Sequence, residues 1–196
     1  MASIKKNTYN ILIIFSQLII CSLVIFYPEG HLVFTLFCLY CFYKCDIFSY
    51  CEAKQFFEPL KSFIYFLPVL FFTLILSKHV LFEYSEQSIV IHSKSFTLEN
   101  NFREIFSICI ISPILEELFF RFIFYRTLKY FLGLFLAIFV TSFIFAIIHS
   151  NILAMPSLFI LGFYLNFIFV RFQNILYPIL LHIFFNTIML IFIMIK

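Results

Sequence analysis

The chain has 196 residues, 64% of them hydrophobic and only 12% charged, with a formal net charge of +3 and a mean hydropathy of +1.08. Soluble domains run at about 45–50% apolar and about 25% charged residues, so this composition excludes an ordinary water-soluble enzyme and indicates an all-α, polytopic membrane helix bundle. The small positive charge sits mostly in short connections between apolar runs, which argues for topology signals and against a nucleic-acid partner.

A polar tail from Met1 to Tyr9, with Lys5 and Lys6, precedes a first span near Asn10–Tyr27 that ends at Pro28-Glu29-Gly30. No short basic region followed by a small-x-small cleavage site leads into it, so Ile11 to Tyr27 is expected to remain as an anchor. The second apolar run, His31 to Tyr43, is short for a crossing that takes about 20 residues; it either extends past Lys44 or only dips into the bilayer. From Lys44 to Lys61, Asp46, Glu52, Lys54 and Glu58 stand between Phe48, Tyr50, Phe56 and Phe57, the pattern of an amphipathic helix lying at the interface. A third span follows at Ser62–Ser77, with Pro68 inside it. Lys78 to Glu104 is the longest polar stretch and reads as an extramembrane loop, either a connector or a lid that gathers substrate.

The fourth span, Ile105 to Tyr125, carries Glu116, Glu117 and Arg121 and is closed by Arg126 and Lys129. A fifth begins near Phe131 and ends at His149-Ser150-Asn151; a sixth runs from about Ile152 to Val170, interrupted by Pro156, Gly162 and Asn166. Arg171 to Asn174 separates it from the last span, Ile175 to Ile195. The total is seven spans, or six if the second is discounted. With seven, the positive-inside rule puts the N-terminus in the cytoplasm, together with Lys44, Lys54, Lys61, Arg126, Lys129 and Arg171. The chain divides into 1–104 (N-terminal helices, interfacial segment and polar loop) and 105–196 (a core of four helices that carries the polar groups discussed below).

Six cysteines lie mainly within or beside apolar runs, where a thiol acts as a small hydrophobe. Cys38-x-x-Cys41 has neither a second pair nor a flanking histidine to make it a metal or redox motif.

Ionisable groups at bilayer depth cost roughly 2.5–3.5 kcal/mol each, so Glu116, Glu117 and Arg121 need partners or a function. Glu117 and Arg121 are four apart, as are His182 and Asn186, so each pair projects from one helix face. At about 1.5 Å per residue, Glu116 lies roughly 16 Å in from one surface and His182 roughly 10 Å from the other, similar depths in a core about 30 Å thick. His149 fits only if its helix stops below the surface, with Ser150 and Asn151 lining a cavity. Such groups also serve as structural ion pairs or interhelical hydrogen bonds. Their joint occurrence favours water activation: a carboxylate beside a histidine removes a proton from water, and a second histidine with an amide donates to an oxyanion. No serine or cysteine is paired with a base as a covalent nucleophile.

Ser112-Pro113-Ile114-Leu115-Glu116-Glu117-Leu118-Phe119-Phe120-Arg121, Ser142-Phe143-Ile144-Phe145-Ala146-Ile147-Ile148-His149 and Leu176-Tyr177-Pro178-Ile179-Leu180-Leu181-His182-Ile183-Phe184-Phe185-Asn186 resemble the three motifs of the CPBP intramembrane proteases, the CAAX-prenyl-protease and bacteriocin-processing (Abi) family. The resemblance covers roughly Ser112 to Asn186 and implies a metal-free glutamate-type endopeptidase. It matches Glu116 to the catalytic base, His149 to its water-activating partner, His182 and Asn186 to the oxyanion pair, and Glu117 and Arg121 to supporting roles. Phe122 departs from the glycine that many members carry there. The expected partners are a peptide or membrane-protein substrate and the lipid bilayer, and the expected location is a bacterial cell membrane, with a peptide-processing or self-immunity role. Three other readings use the same residues: a zinc site of Glu116, His149 and His182, a non-catalytic immunity or scaffold protein, and a proton-coupled transporter.

Overall fold

The structure is a computed structural model that describes residues 53–81, 91, 93–97 and 100–195. All of them fall within one compact unit, Ile47–Lys196. Every regular element among the described residues is helical. In chain order these are α1 (Ala53–Val80), α2 (Phe102–Phe106), π1 (Ser107–Ile111), α3 (Ser112–Glu117), π2 (Leu118–Tyr125), α4 (Arg126–Leu132), α5 (Leu134–Ile148), α6 (Met155–Phe172) and α7 (Leu176–Ile195). Among the described residues three segments are long and apolar enough to cross a membrane: Phe57–Val80, Met155–Phe172 and Leu176–Ile195. The expected spans at Asn10–Tyr27 and His31–Tyr43, the Cys38/Cys41 pair and most of the polar loop lie outside the described residues.

The stretch from Phe102 to Leu132 is one unbroken rod, because the junction residues Phe106, Ser112, Glu117 and Arg126 all keep right-handed helical geometry. What changes along it is the hydrogen-bond step, which widens from i→i+4 to i→i+5 in π1 and π2. Pro113 explains the first widening: it has no N–H for the carbonyl one turn back, and its ring crowds that turn. The rod stops only at Gly133, whose φ of 78° suits a residue without Cβ. Arg126 and Lys129, expected to close the fourth span, lie in the last helical stretch before that break, and the next helix starts at Leu134, close to the expected Phe131.

A correction concerns α1. Lys44–Lys61 reads as an interfacial helix separate from the third span, yet Ala53–Lys61 and that span form a single helix of 28 residues. Pro59 and Pro68 sit inside it, and the Pro59 carbonyl accepts the Tyr164 hydroxyl of α6 at 3.4 Å. Tyr164 also bonds Ser62, and Thr73 Oγ1 meets Ser157 Oγ at 3.0 Å. Polar pairs of this kind join helices where apolar side chains gain nothing over lipid. Between them, Phe63 and Leu70 of α1 pack with Leu161 and Leu165 of α6 and with Tyr177, Leu181 and Phe185 of α7.

The contact between α5 and α6 is made close by Gly162. A Cβ there would stand 3.1 Å from Phe145 Cδ1 and 3.2 Å from the Ser142 Cα. At 15 residues, α5 reaches about 22 Å and falls short of a hydrocarbon core of about 30 Å. The helix ends at His149, which is half-buried.

Candidate active site

Glu116 and Glu117 are consecutive residues of α3 that point to different neighbours. Glu117 is fully buried. Its Oε1 accepts Nη1 of Arg121 at 2.8 Å, the ion pair expected from their i,i+4 spacing, and also lies 2.7 Å from Nδ1 of His182 on α7. A carboxylate only accepts, so Nδ1 of His182 carries the proton of that bond. Arg121 has no exposed surface either; its Nη2 donates to the Gly162 carbonyl at 3.2 Å and its guanidinium lies 4.6 Å from the centre of the Phe145 ring. Asn166 Nδ2 reaches the same carbonyl and Ser142 Oγ, each at 3.1 Å, so a buried amide supports the α5–α6 corner beneath the ion pair.

Glu116 is fixed differently. Ser112, one turn before it, donates its hydroxyl to Glu116 Oε1 at 2.7 Å. The other oxygen, Oε2, is left 3.5 Å from Nε2 of His149 and 3.8 Å from Nε2 of His182. Both distances exceed a good hydrogen bond. His149 is oriented by its own backbone, its Nδ1–H donating to the Phe145 carbonyl at 2.6 Å. With both imidazoles protonated at Nδ1, each neutral ring presents Nε2 as a lone pair toward a carboxylate oxygen that is also an acceptor. Three acceptors then face one another, an arrangement suited to receiving a donated hydrogen. Glu116 and His149 keep 21% and 27% of their side-chain surface exposed, whereas His182 keeps 2%; access comes from the Glu116–His149 side.

Asn186 sits one turn beyond His182, and its Nδ2 donates to the Ile108 carbonyl at 3.0 Å. The reason is in π1. The Ser112 N–H bonds back to the Ser107 carbonyl, so the partner of Ile108 in the same i→i+5 register is Pro113, which has no N–H. A buried carbonyl without a donor is costly, and Asn186 supplies one. It retains a second Nδ2 hydrogen.

Four of the six residues singled out from sequence therefore form one contiguous set: Glu116, Glu117, His149 and His182, with Arg121 joined through Glu117 and Asn186 docked on π1. Sequence reasoning missed the part played by Ser112, although its i,i+4 spacing to Glu116 was readable. It also missed Gly162 and Asn166, visible only as interruptions of an apolar run. Among the described residues no group of three or more His, Cys, Asp and Glu side chains is arranged to hold a metal ion.

Residues 99–188 match the family model described as type II CAAX prenyl endopeptidase Rce1-like. This C-terminal region is thus similar to the CPBP family. No curated protein and no solved structure matches the chain. The CPBP match encloses all three motifs, beginning just before α2 and ending in α7, and the protein is an integral membrane protein. Helix α1 precedes the CPBP region in sequence, yet it packs on α6 and α7, so it forms part of the wall around the site.

Proposed function

We propose that this protein is a multi-pass, intramembrane glutamate-type endopeptidase of a bacterial cell membrane that hydrolyses a peptide bond with water activated by Glu116 and His149. The observation that carries this reading is the convergence of Glu116 Oε2 with Nε2 of His149 and of His182 at 3.5 and 3.8 Å, on the more exposed side of the cluster. A water held there gives a proton to Glu116 while its oxygen attacks the carbonyl carbon of the substrate. The carbonyl π electrons move onto oxygen, and the oxyanion is met by His182, donating from Nε2 when doubly protonated, and by the second Nδ2 hydrogen of Asn186. Collapse breaks the C–N bond, and the proton taken from water passes to the leaving amine. The products are a carboxylic acid and an amine, and the acid then gives its proton to the amine to leave a carboxylate and an ammonium.

Charge balance supports the same arrangement. Two carboxylates and one guanidinium leave the cluster with one negative charge in excess, and a single proton shared by the two histidines removes it. Glu117, bonded to Nδ1 of His182, is placed to stabilise that imidazolium. Glu117 and Arg121 are thus positioning residues, and the substrate touches neither.

The substrate is a membrane-associated protein or peptide, with peptide processing or bacteriocin self-immunity as its biological setting. The test compares membrane peptidomes of cells carrying wild type or Glu116→Gln at equal abundance. A cleavage product that disappears with the variant is expected; identical peptidomes would sink the proposal. Full biological effect retained by Glu116→Gln would instead establish a non-catalytic binding role, and loss of cleavage by purified protein in a chelator, restored by zinc, would establish the metal version.

A further inference from the structure

Beside the catalytic cluster lies a cavity of about 160 Å³ that shares His149 as one wall. Its other surfaces come from α1 (Leu70, Leu74), from the turn after α5 (Ala154) and from α7 (Phe185, Met189). Two polar residues also line it, and both are committed elsewhere: Asn151 Oδ1 accepts the Ala154 N–H at 3.1 Å, and Ser157 is paired with Thr73 at 3.0 Å. What faces the interior is therefore mainly hydrocarbon and sulfur.

We infer that this cavity is a size-selecting subsite for a single medium apolar side chain, of phenylalanine, methionine or leucine size, next to the peptide bond cleaved at Glu116. The inference rests on the endopeptidase reading above. Three observations support it. An apolar cavity of about 150 Å³ holds one benzene-sized group, and a complete isoprenoid chain needs a multiple of that volume. His149 is both a wall of the cavity and a neighbour of Glu116 at 3.5 Å, so a side chain seated there lies close to the bond that Glu116 and His149 address. The lining is also suited to such a guest, because Phe185 offers a ring face and Met189 an adaptable thioether. Ala154 and Leu74 set the depth: neither makes a polar contact with the catalytic cluster, and each alters the volume if its size changes.

The experiment uses purified full-length protein in liposomes and a lipid-anchored peptide library varied at one position at a time through Gly, Ala, Val, Leu, Met, Phe and Trp. Relative kcat/KM values are read by mass spectrometry. Ratios between peptides in one reaction are independent of the fraction of protein that is folded, so an unstable variant still reports. Wild type is expected to prefer Phe, Met or Leu over Gly and Trp at one position flanking the cleaved bond. Ala154→Leu should lower the Phe-to-Ala ratio by about 10-fold, and Leu74→Ala should raise the Trp-to-Leu ratio by about 10-fold, the scale of a methylene or two in an apolar pocket. Cleavage that depends on Glu116 but with ratios unmoved by both variants would overturn the subsite and leave the endopeptidase reading intact; a lipid chain or a remote exosite occupying the cavity gives that result. A wild type that cleaves no peptide of the library or of the membrane peptidome overturns the parent reading, and the subsite with it.

Discussion

Glu117 and His182, 65 positions apart in the chain, are joined by a buried hydrogen bond of 2.7 Å. The same carboxylate oxygen holds Arg121 at 2.8 Å, so one atom fixes a helix-internal ion pair and the tautomer of a histidine on another helix. Glu117→Gln keeps the size but removes the charge that supports a doubly protonated His182. Activity should fall by about 10–100-fold, the usual effect of losing the group that orients an active-site histidine. Glu117→Asp, which keeps the charge, separates this from a merely structural defect: at equal abundance it should recover part of the activity that Glu117→Gln loses.

Removing the base itself should cost more. Glu116→Gln retains an oxygen to accept the Ser112 hydroxyl, so the helix has no reason to rearrange, while the amide cannot take a proton from water. Cleavage should drop by about 10²–10⁴-fold with thermal stability unchanged, measured as turnover alongside melting in detergent. His149→Ala should show the same loss. A variant with near-normal turnover would remove either residue from the mechanism.

Ser112 controls which oxygen of Glu116 is free. Without its 2.7 Å bond the carboxylate can rotate, and both oxygens compete for the histidines. Ser112→Ala should lower kcat by roughly tenfold, equivalent to about 1.4 kcal/mol, the net value of one hydrogen bond to a charged group. Ser112→Thr, which keeps the hydroxyl, should restore most of it.

Arg121 is a stability determinant. Its guanidinium and Glu117 are both fully buried, and deleting one member of such a pair strands the other without compensation. Arg121→Ala should cost about 3–5 kcal/mol, read as a large loss of melting temperature and of cellular abundance. Arg121→Met combined with Glu117→Leu should be far less damaging to stability, although it cannot be active.

Gly162→Ala tests the packing beneath the site. The added methyl would meet the Ser142 backbone at 3.2 Å, and backbone does not yield as a side-chain tip does. α5 and α6 must separate by a few tenths of an ångström, with a cost of about 1–3 kcal/mol in melting experiments. The shift also moves the carbonyl that accepts Arg121, so activity should fall further than stability.

Local spacing carries a good part of the site in the sequence. Glu117 and Arg121 are one turn apart on one helix, so their ion pair is dictated before any tertiary contact forms. The order of the three motifs and the composition were sufficient for a membrane helix bundle with its polar groups in the C-terminal half. The interruption of the apolar run at His149-Ser150-Asn151 also marks the end of α5, which stops at Ile148.

Three things were decided only by packing. The first is that Glu117 serves two partners: spacing identifies Arg121, but nothing in the order of residues says that His182 arrives at the same oxygen. The second is the widened turn before Pro113, which leaves the Ile108 carbonyl without a backbone donor and assigns Asn186 to it. The third is the continuity of α1, where charges among aromatics suggested a helix on the membrane surface and the backbone ran straight on into the span. Side-chain pairs one turn apart on a helix depend on neighbours in sequence and are legible there. Which side chain satisfies an orphaned carbonyl or a second lone pair depends on the approach of another helix, and that is set by the fit of Gly162 against Ser142 and Phe145 and by the packing of α7 on the rod.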